Sequence, residues 1–251
     1  MEDLFMNLND YKLVWSDEFD GDSIDMTKWT HDTGGHGWGN NEAQYYTTNP
    51  ANAFVKDGKL HLVAKKEDYE KNNYTSGKLT TYGKASWQYC YVEARAKVPY
   101  GVGSWPAIWM LSDAIKQGTP WPLCGEIDIL EHVGQYEGMV YASLHSQLYN
   151  HSIGTQQSLS VNMGDLWSDF HTYAIEWTED YIDCLFDGKS YAKFMKGEDG
   201  RDTTDEGWPF NKPFYILLNL AVGGNFGGPI IDEATLPWTF EIDYVRVYQK
   251  N

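Results

Sequence analysis

The chain has 251 residues, of which 42% are hydrophobic and 16% aromatic, enough for a sizeable core and more rings than packing alone requires. Lys and Arg total 19 against 36 Asp and Glu, and the resulting net charge of −17 argues against nucleic acid and anionic membrane surfaces as partners. No apolar run approaches the ~18 residues of a membrane span, and the longest, from Phe214 to Gly224, is broken by Asn219.

The opening MEDLFMNLND shows neither the basic segment nor the apolar segment of a signal peptide. No composition shift or linker follows, so a single domain over residues 1–251 is expected. GGHGWGNNE at 34–42 is Gly-rich but lacks the strand-to-helix frame of a phosphate loop, and reads as a binding loop. Phe54 to Lys65 reads as a hairpin bent at Asp57-Gly58, and Tyr181 to Tyr191 repeats that pattern at Asp187-Gly188. Between them, Trp87 to Val98 alternates with period two. One face carries Cys90, Val92, Ala94 and Ala96, which is packing; the other carries Trp87, Tyr89, Tyr91, Glu93, Arg95 and Lys97, which suits a groove for a polar polymer, although the solvated outer face of a sheet would look similar. In Trp105 to Trp109 two rings share a face across Ala107, roughly 13 Å apart, about the reach of two to three sugar units. Val161 to Phe170 could hold at most a short helix. Recurrent alternation with turn punctuation predicts an all-β, antiparallel sandwich.

Cys90, Cys124 and Cys184 are too few and too dispersed for a disulfide framework or a zinc knuckle. Glu131-His132 is not part of an HExxH motif, and His145 and His151 have no ligand-like neighbours in sequence, so zinc is not expected. Asn73-Tyr74-Thr75 and Asn150-His151-Ser152 are sequons, meaningful in a secretory eukaryotic setting.

The stretch GEIDILEHVG at 125–134 carries the chemistry: Glu126, Asp128 and Glu131 interrupt an otherwise apolar run. A helix would place Glu126 about 140–200° from the other two acids. A regular strand would align Glu126 with Asp128 but drive Glu131 into the apolar side, at a cost of several kcal/mol. One extra residue at or near Leu130, a β-bulge, turns Glu131 back beside the others. Three carboxylates on one face suit a calcium site, a solvated acidic strip or glycoside hydrolysis. The third explains the nearby Trp105, Trp109 and Trp121 best: a retaining glycosidase needs two carboxyls about 5–5.5 Å apart, one as nucleophile and one as acid then base, and an inverting pair at about 6.5–9.5 Å is also compatible with the spacing. Repulsion between close carboxylates raises one pKa and keeps an acid protonated near neutrality, and Asp128 between them can orient and tune a neighbour.

These residues resemble glycoside hydrolase family 16, in its bacterial laminarinase-like branch with the ExDxxE signature. The similarity also covers LVWSDEFDG at 13–21, GWGNNEAQYYT at 37–47, VEARAKVPYGVGSWPAIWML at 92–111, SLHS at 143–146, FHTYAIEWTEDYIDCLFDG at 170–188, PFYILLNLAVGG at 213–224 and IDYVRVYQ at 242–249. The resemblance implies a β-jelly-roll of two antiparallel sheets with a concave groove, and endo-acting, retaining cleavage of β-1,3-glucan or mixed-linkage β-1,3/1,4-glucan. By motif position it implies Glu126 as nucleophile, Glu131 as acid/base and Asp128 as their assistant. It suggests Asn41, Arg95, Trp105, Trp109, Trp121 and His145 as groove residues. No catalytic cofactor is implied, but a structural Ca2+ is, at Glu18, the Gly58 carbonyl and Asp243. An extracellular monomer is expected. Ala43 stands where relatives commonly carry a larger apolar residue, and GGNFGGPIID departs from their Trp-containing segment. The alternatives are a glucan-binding module without catalysis and a hydrolase of another β-linked polysaccharide such as agar; the negative charge disfavours a sulfated substrate.

Overall fold

The computed structural model describes residues 8–251; the first seven residues of the MEDLFMNLND stretch lie outside the described residues. Two sheets face each other. The seven-stranded sheet runs, edge to edge, Gln157–Asn162, Met139–His145, Glu126–Glu131, Ser104–Ser112, Phe214–Val222, Lys78–Thr80, Thr30–His31, all antiparallel. The ten-stranded sheet runs from Lys189–Met195 through Tyr181–Phe186, His171–Trp177, Tyr91–Lys97, Trp238–Lys250, Lys59–Tyr69 and Asn72–Ser76 to Gln44–Tyr46. Tyr11–Asp17 and Ala53–Lys56 add to its Trp238–Lys250 and Lys59–Tyr69 strands. Its last pair, Gln44–Tyr46 with Asn72–Ser76, is parallel, an exception to the antiparallel pattern read from the sequence.

The alternating side chains make the core. From the seven-stranded sheet Ile108, Met110, Ile127, Leu144, Ile216 and Leu218 point inward, and from the other sheet Leu60, Leu62, Val92, Ala94, Ala96, Tyr173 and Phe240 meet them, all essentially without solvent contact. Burial of this order, at about 25 cal/mol per Å2 of apolar surface, is what holds two open sheets together. Both DG hairpins form as expected. Asp57 and Gly58 have φ of 52° and 69°, and Asp187 and Gly188 have 47° and 75°, the paired positive values that a two-residue turn needs to match strand twist. The turns close the Lys56/Lys59 and Phe186/Lys189 pairs. The 161–170 segment holds no helix; Asn162 ends a strand and Leu166 plugs the core from the loop beyond. All three cysteines are buried and free.

One expectation fails. Of the Trp87 to Val98 run only Tyr91–Lys97 is strand, and it lies in the ten-stranded sheet, while Trp87 bridges to Phe214 of the other. Its small apolar face does enter the core, but its charged face is the outer surface of that sheet, on the far side of the molecule's core from the acidic trio. Trp87 is buried in the core beside Phe214, and Tyr91 packs against Tyr11 and Tyr248.

Candidate active site

The bulge is where the acids required it. Against Met139–His145, Asp128 pairs with Ser143 and Glu131 with Tyr141, so three steps on one strand match two on the other. Against Ser104–Ser112 the slip falls between Asp128 and Leu130. Ile129 and Leu130, consecutive in sequence, therefore both sink into the core, at 1% and 0% exposure, and Glu131 emerges on the side of Glu126 and Asp128.

All three carboxylates line an open cavity of about 300 Å3 on the outer face of the seven-stranded sheet. Trp105, Trp109 and Trp121 line it too, and their indole N–H groups are committed. Trp105 donates to Glu131 Oε1 at 3.1 Å and Trp121 to Glu126 Oε2 at 3.0 Å. Trp109 donates to Asn219 Oδ1 at 2.7 Å, which explains why a polar residue breaks the apolar run of Phe214–Val222: Asn219 faces the groove. His145 pairs with Glu126 across the strands, and its Nε2 lies 3.2 Å from Asp128 Oδ2 and 3.7 Å from Glu126 Oε1. It sits behind the acids rather than on the cavity wall.

Burial sets the protonation of this site. It pushes Glu126 up to about 8, with Asp128 and Glu131 adding repulsion, while His145 and the Trp121 N–H pull the other way. Burial alone raises Asp128 to about 8. Glu131 rises to about 8 by burial and then by the charge of Asp128, against His145 and the Trp105 N–H. Burial and mutual repulsion keep three adjacent acids from ionising together, so the site retains a proton donor near neutral pH, while His145 and the Trp121 N–H favour a negative charge on Glu126.

One expected groove residue is elsewhere, and another stands at the rim. Arg95 projects from the ten-stranded sheet, where its Nη1 donates to Asp243 Oδ2 at 2.6 Å and its guanidinium lies 4.9 Å from the Phe170 ring. Alternation gave the correct face of its strand but could not say which sheet the strand joins. Asn41 is exposed at the cavity mouth, held at φ 55° and donating to Asn225 Oδ1 at 2.9 Å, while its neighbours Gly39, Asn40 and Glu42 form the wall. In their place stand residues the sequence did not single out. The buried ammonium of Lys78 lies 3.2 Å from Asp32 and 3.8 Å above the Trp38 ring; burial lowers its pKa, and the charges of Asp32 and Glu42 oppose that. Glu42, raised chiefly by burial, accepts from Gln44 Nε2 at 2.6 Å and Tyr46 OH at 3.2 Å, and Tyr46 OH in turn accepts from Asn219 Nδ2 at 3.0 Å. This chain of bonds fixes Trp109. The GWGNNE loop signalled Glu42; nothing local distinguished Lys78 from an ordinary strand lysine.

The three positions matched to calcium converge on one corner of the ten-stranded sheet. Asp243 is itself a bulge residue, between the Ile242/Ala96 and Tyr244/Arg95 pairs. Glu18 follows Asp17, which pairs with Val245, and Gly58 closes the hairpin whose Leu60 pairs with Ile242. Both Glu18 oxygens accept from Arg246, at 3.0 and 2.8 Å. Asp243 Oδ2 is likewise taken, by Arg95, so the carboxylates at this corner are already paired with arginines.

Residues 40–246 match the family model described as glycosyl hydrolases family 16. A beta-glucanase of Rhodothermus marinus is 47% identical over 95% of this chain and 85% of its own length. The crystal structure of the laminarinase from Rhodothermus marinus superposes with a TM-score of 0.92 at 46% identity, covering 96% of this chain and 98% of that one. An endo-1,3-1,4-beta-glycanase of Rhizobium meliloti (strain 1021) is 36% identical over 88% of this chain and 46% of its own length. With the acidic signature, the sandwich and these matches in agreement, the chain belongs to glycosyl hydrolases family 16.

Proposed function

We propose that this protein cleaves internal bonds of a laminarin-like β-1,3-glucan or a mixed-linkage β-1,3/1,4-glucan, with retention, through a covalent glycosyl-enzyme intermediate. The observation that carries the reading is the bulge that brings Glu126, Asp128 and Glu131 to one face of a tryptophan-lined groove. The site is an open cavity rather than an enclosed one, which suits endo attack, and the relatives include a glucan endo-1,3-beta-glucosidase, an endo-1,3-1,4-beta-glycanase and an endo-beta-1,3(4)-glucanase.

In the first step Glu131, protonated, gives its proton to the glycosidic oxygen while the Glu126 carboxylate attacks the anomeric carbon. The aglycone leaves, and Glu131, now ionised, takes a proton from water as that water attacks the same carbon and frees Glu126. Trp121 and Trp105 hold the two carboxyls by their N–H groups, so neither needs to reorient between steps. Asp128, 4% exposed, lies on the same face as both, with its Oδ2 3.2 Å from His145 Nε2, and its charge tunes the proton affinity of each glutamate. Laminarin, lichenan, carboxymethylcellulose and agarose compared side by side test the reading. Shortened β-anomeric products from the first two support it; initial α-anomer, or release from agarose alone, sinks it.

Asp128 also sets the pH window. Its charge raises both Glu126 and Glu131. Replacing it by Asn removes that repulsion, so both pKa values fall and both limbs of the kcat/KM profile move to lower pH, the alkaline limb from near 8. A pH profile of Asp128→Asn in which the alkaline limb stays in place contradicts this coupling.

Calcium at the Glu18, Gly58 and Asp243 corner is proposed from the convergence of those backbones, and as a structural ion, remote from the chemistry. It predicts that EGTA lowers Tm by about 5–10 °C relative to protein with calcium near 100 times its Kd, a gap of about 2.7 kcal/mol. Identical melting curves in EGTA and calcium count against it. Secretion and a monomeric state are proposed on the resemblance alone.

A further inference from the structure

We propose that Glu126, Asp128 and His145 form a binding site for a borderline divalent cation of the zinc type, and that a cation seated there shuts the reaction centre. The sequence argues against zinc, because His145 has no ligand partners within reach along the chain. The sheet supplies them. Glu126 lies directly across from His145 in register, and Asp128 is the next residue on the same face. One ligand atom from each falls within 4.8 Å of the other two.

Two edges of that triangle are set by the fold: 3.2 Å from His145 Nε2 to Asp128 Oδ2 and 3.7 Å to Glu126 Oε1. Ligands about 2.0–2.1 Å from a tetrahedral ion stand roughly 3.4 Å apart, so these edges need little adjustment. The second observation concerns satisfaction. Asp128 is 4% exposed, yet its Oδ2 has no aligned hydrogen-bond donor despite the nearby imidazole, and a buried carboxylate oxygen in that state normally has a partner. A cation supplies one. Trp121 occupies Glu126 Oε2 and leaves Oε1 on the side of His145. The groove side remains open for a water as fourth ligand, the arrangement of three-ligand zinc sites.

The donor set selects the cation class. One imidazole with two carboxylates suits zinc or copper, whereas calcium and magnesium require more oxygens than the indole walls provide. His145 Nδ1 has no hydrogen-bond partner, so the ring lacks the outer support that tightens metal sites, and micromolar rather than nanomolar affinity follows. Bound zinc would hold the Glu126 oxygen that must attack and fill the space of the reacting sugar. The inhibitory part rests on the hydrolase reading; the binding part does not.

The test is calorimetric titration of zinc chloride into tag-free wild-type protein, with magnesium chloride as a control. The expected result is one zinc per chain, no magnesium heat, and affinity reduced at least about 10-fold in both His145→Gln and Asp128→Asn. Saturating laminari-oligosaccharide should weaken zinc binding in parallel, and zinc should raise the apparent KM for laminarin with kcat unchanged, reversibly with EDTA. Absence of saturable binding, wild-type affinity in either variant, or zinc binding indifferent to the oligosaccharide each overturns the proposal. If His145→Gln fails to fold, the near-isosteric Asp128→Asn decides. A protein that binds zinc as stated but hydrolyses no glucan would remove the hydrolase reading and leave the metal site standing.

Discussion

Glu126→Gln should abolish laminarin hydrolysis, lowering kcat by about 10⁴-fold or more, the scale seen when a nucleophile that acts with its partners as a unit is removed. The amide cannot form the glycosyl ester, yet its oxygen still accepts the Trp121 N–H that positions the side chain, so the groove keeps its shape and its affinity for oligosaccharide. The variant should also separate function from stability. Glu126 is raised from its ordinary 4.5 to about 8 in the folded protein. A carboxyl shifted upward contributes its full stability below its unfolded pKa and loses it as pH rises through the folded one. Glutamine does not titrate, so Glu126→Gln should melt above wild type at alkaline pH and lose that advantage near pH 4. Substantial turnover in this variant removes the proposed mechanism; equal melting curves across pH remove the electrostatic account of the site.

The second large effect falls on Glu131→Gln and depends on the leaving group. On laminarin the loss of the proton donor should cost roughly 10²–10⁴-fold. On an aryl glycoside whose phenol leaves without protonation, the first displacement should survive, and a burst of phenol should precede a slow steady state because water lacks its base. Azide, which needs no base, should restore the second step and give a β-azide, the retained configuration. The same anion added to Glu126→Gln should give the α-azide, since it would strike the anomeric carbon directly. Opposite configurations from the two variants would assign the two roles without reference to any relative. The same azide product from both would void the assignment. The Trp105 N–H bound to Glu131 Oε1 at 3.1 Å accounts for why the acid side chain stays in place when its charge is removed.

Much of this molecule is legible in the sequence because the governing forces are local. Period-two alternation follows from strand geometry, so the sandwich and the inward residues could be read from the chain. Asp-Gly pairs tolerate positive φ, so both hairpin tips could be placed. The bulge could be deduced because one carboxylate in the wrong face of a strand costs more than one unpaired residue in the ladder. That deduction fixed the trio on one face, and the register confirms the slip between Asp128 and Glu131. Other features depend on which strands become neighbours, and the cross-sheet order joins residues far apart in sequence, 228 apart in the Glu18–Arg246 bond. Arg95 shows the consequence: its face was read correctly, and its sheet was not. Lys78 is an ordinary strand lysine until Trp38, Asp32 and Trp109 close around it. His145 acquires its carboxylate partners only across the ladder. Alternation along a strand is set by the backbone of that strand, whereas the company a side chain keeps is set by long-range burial, and only the assembled sheets decide it.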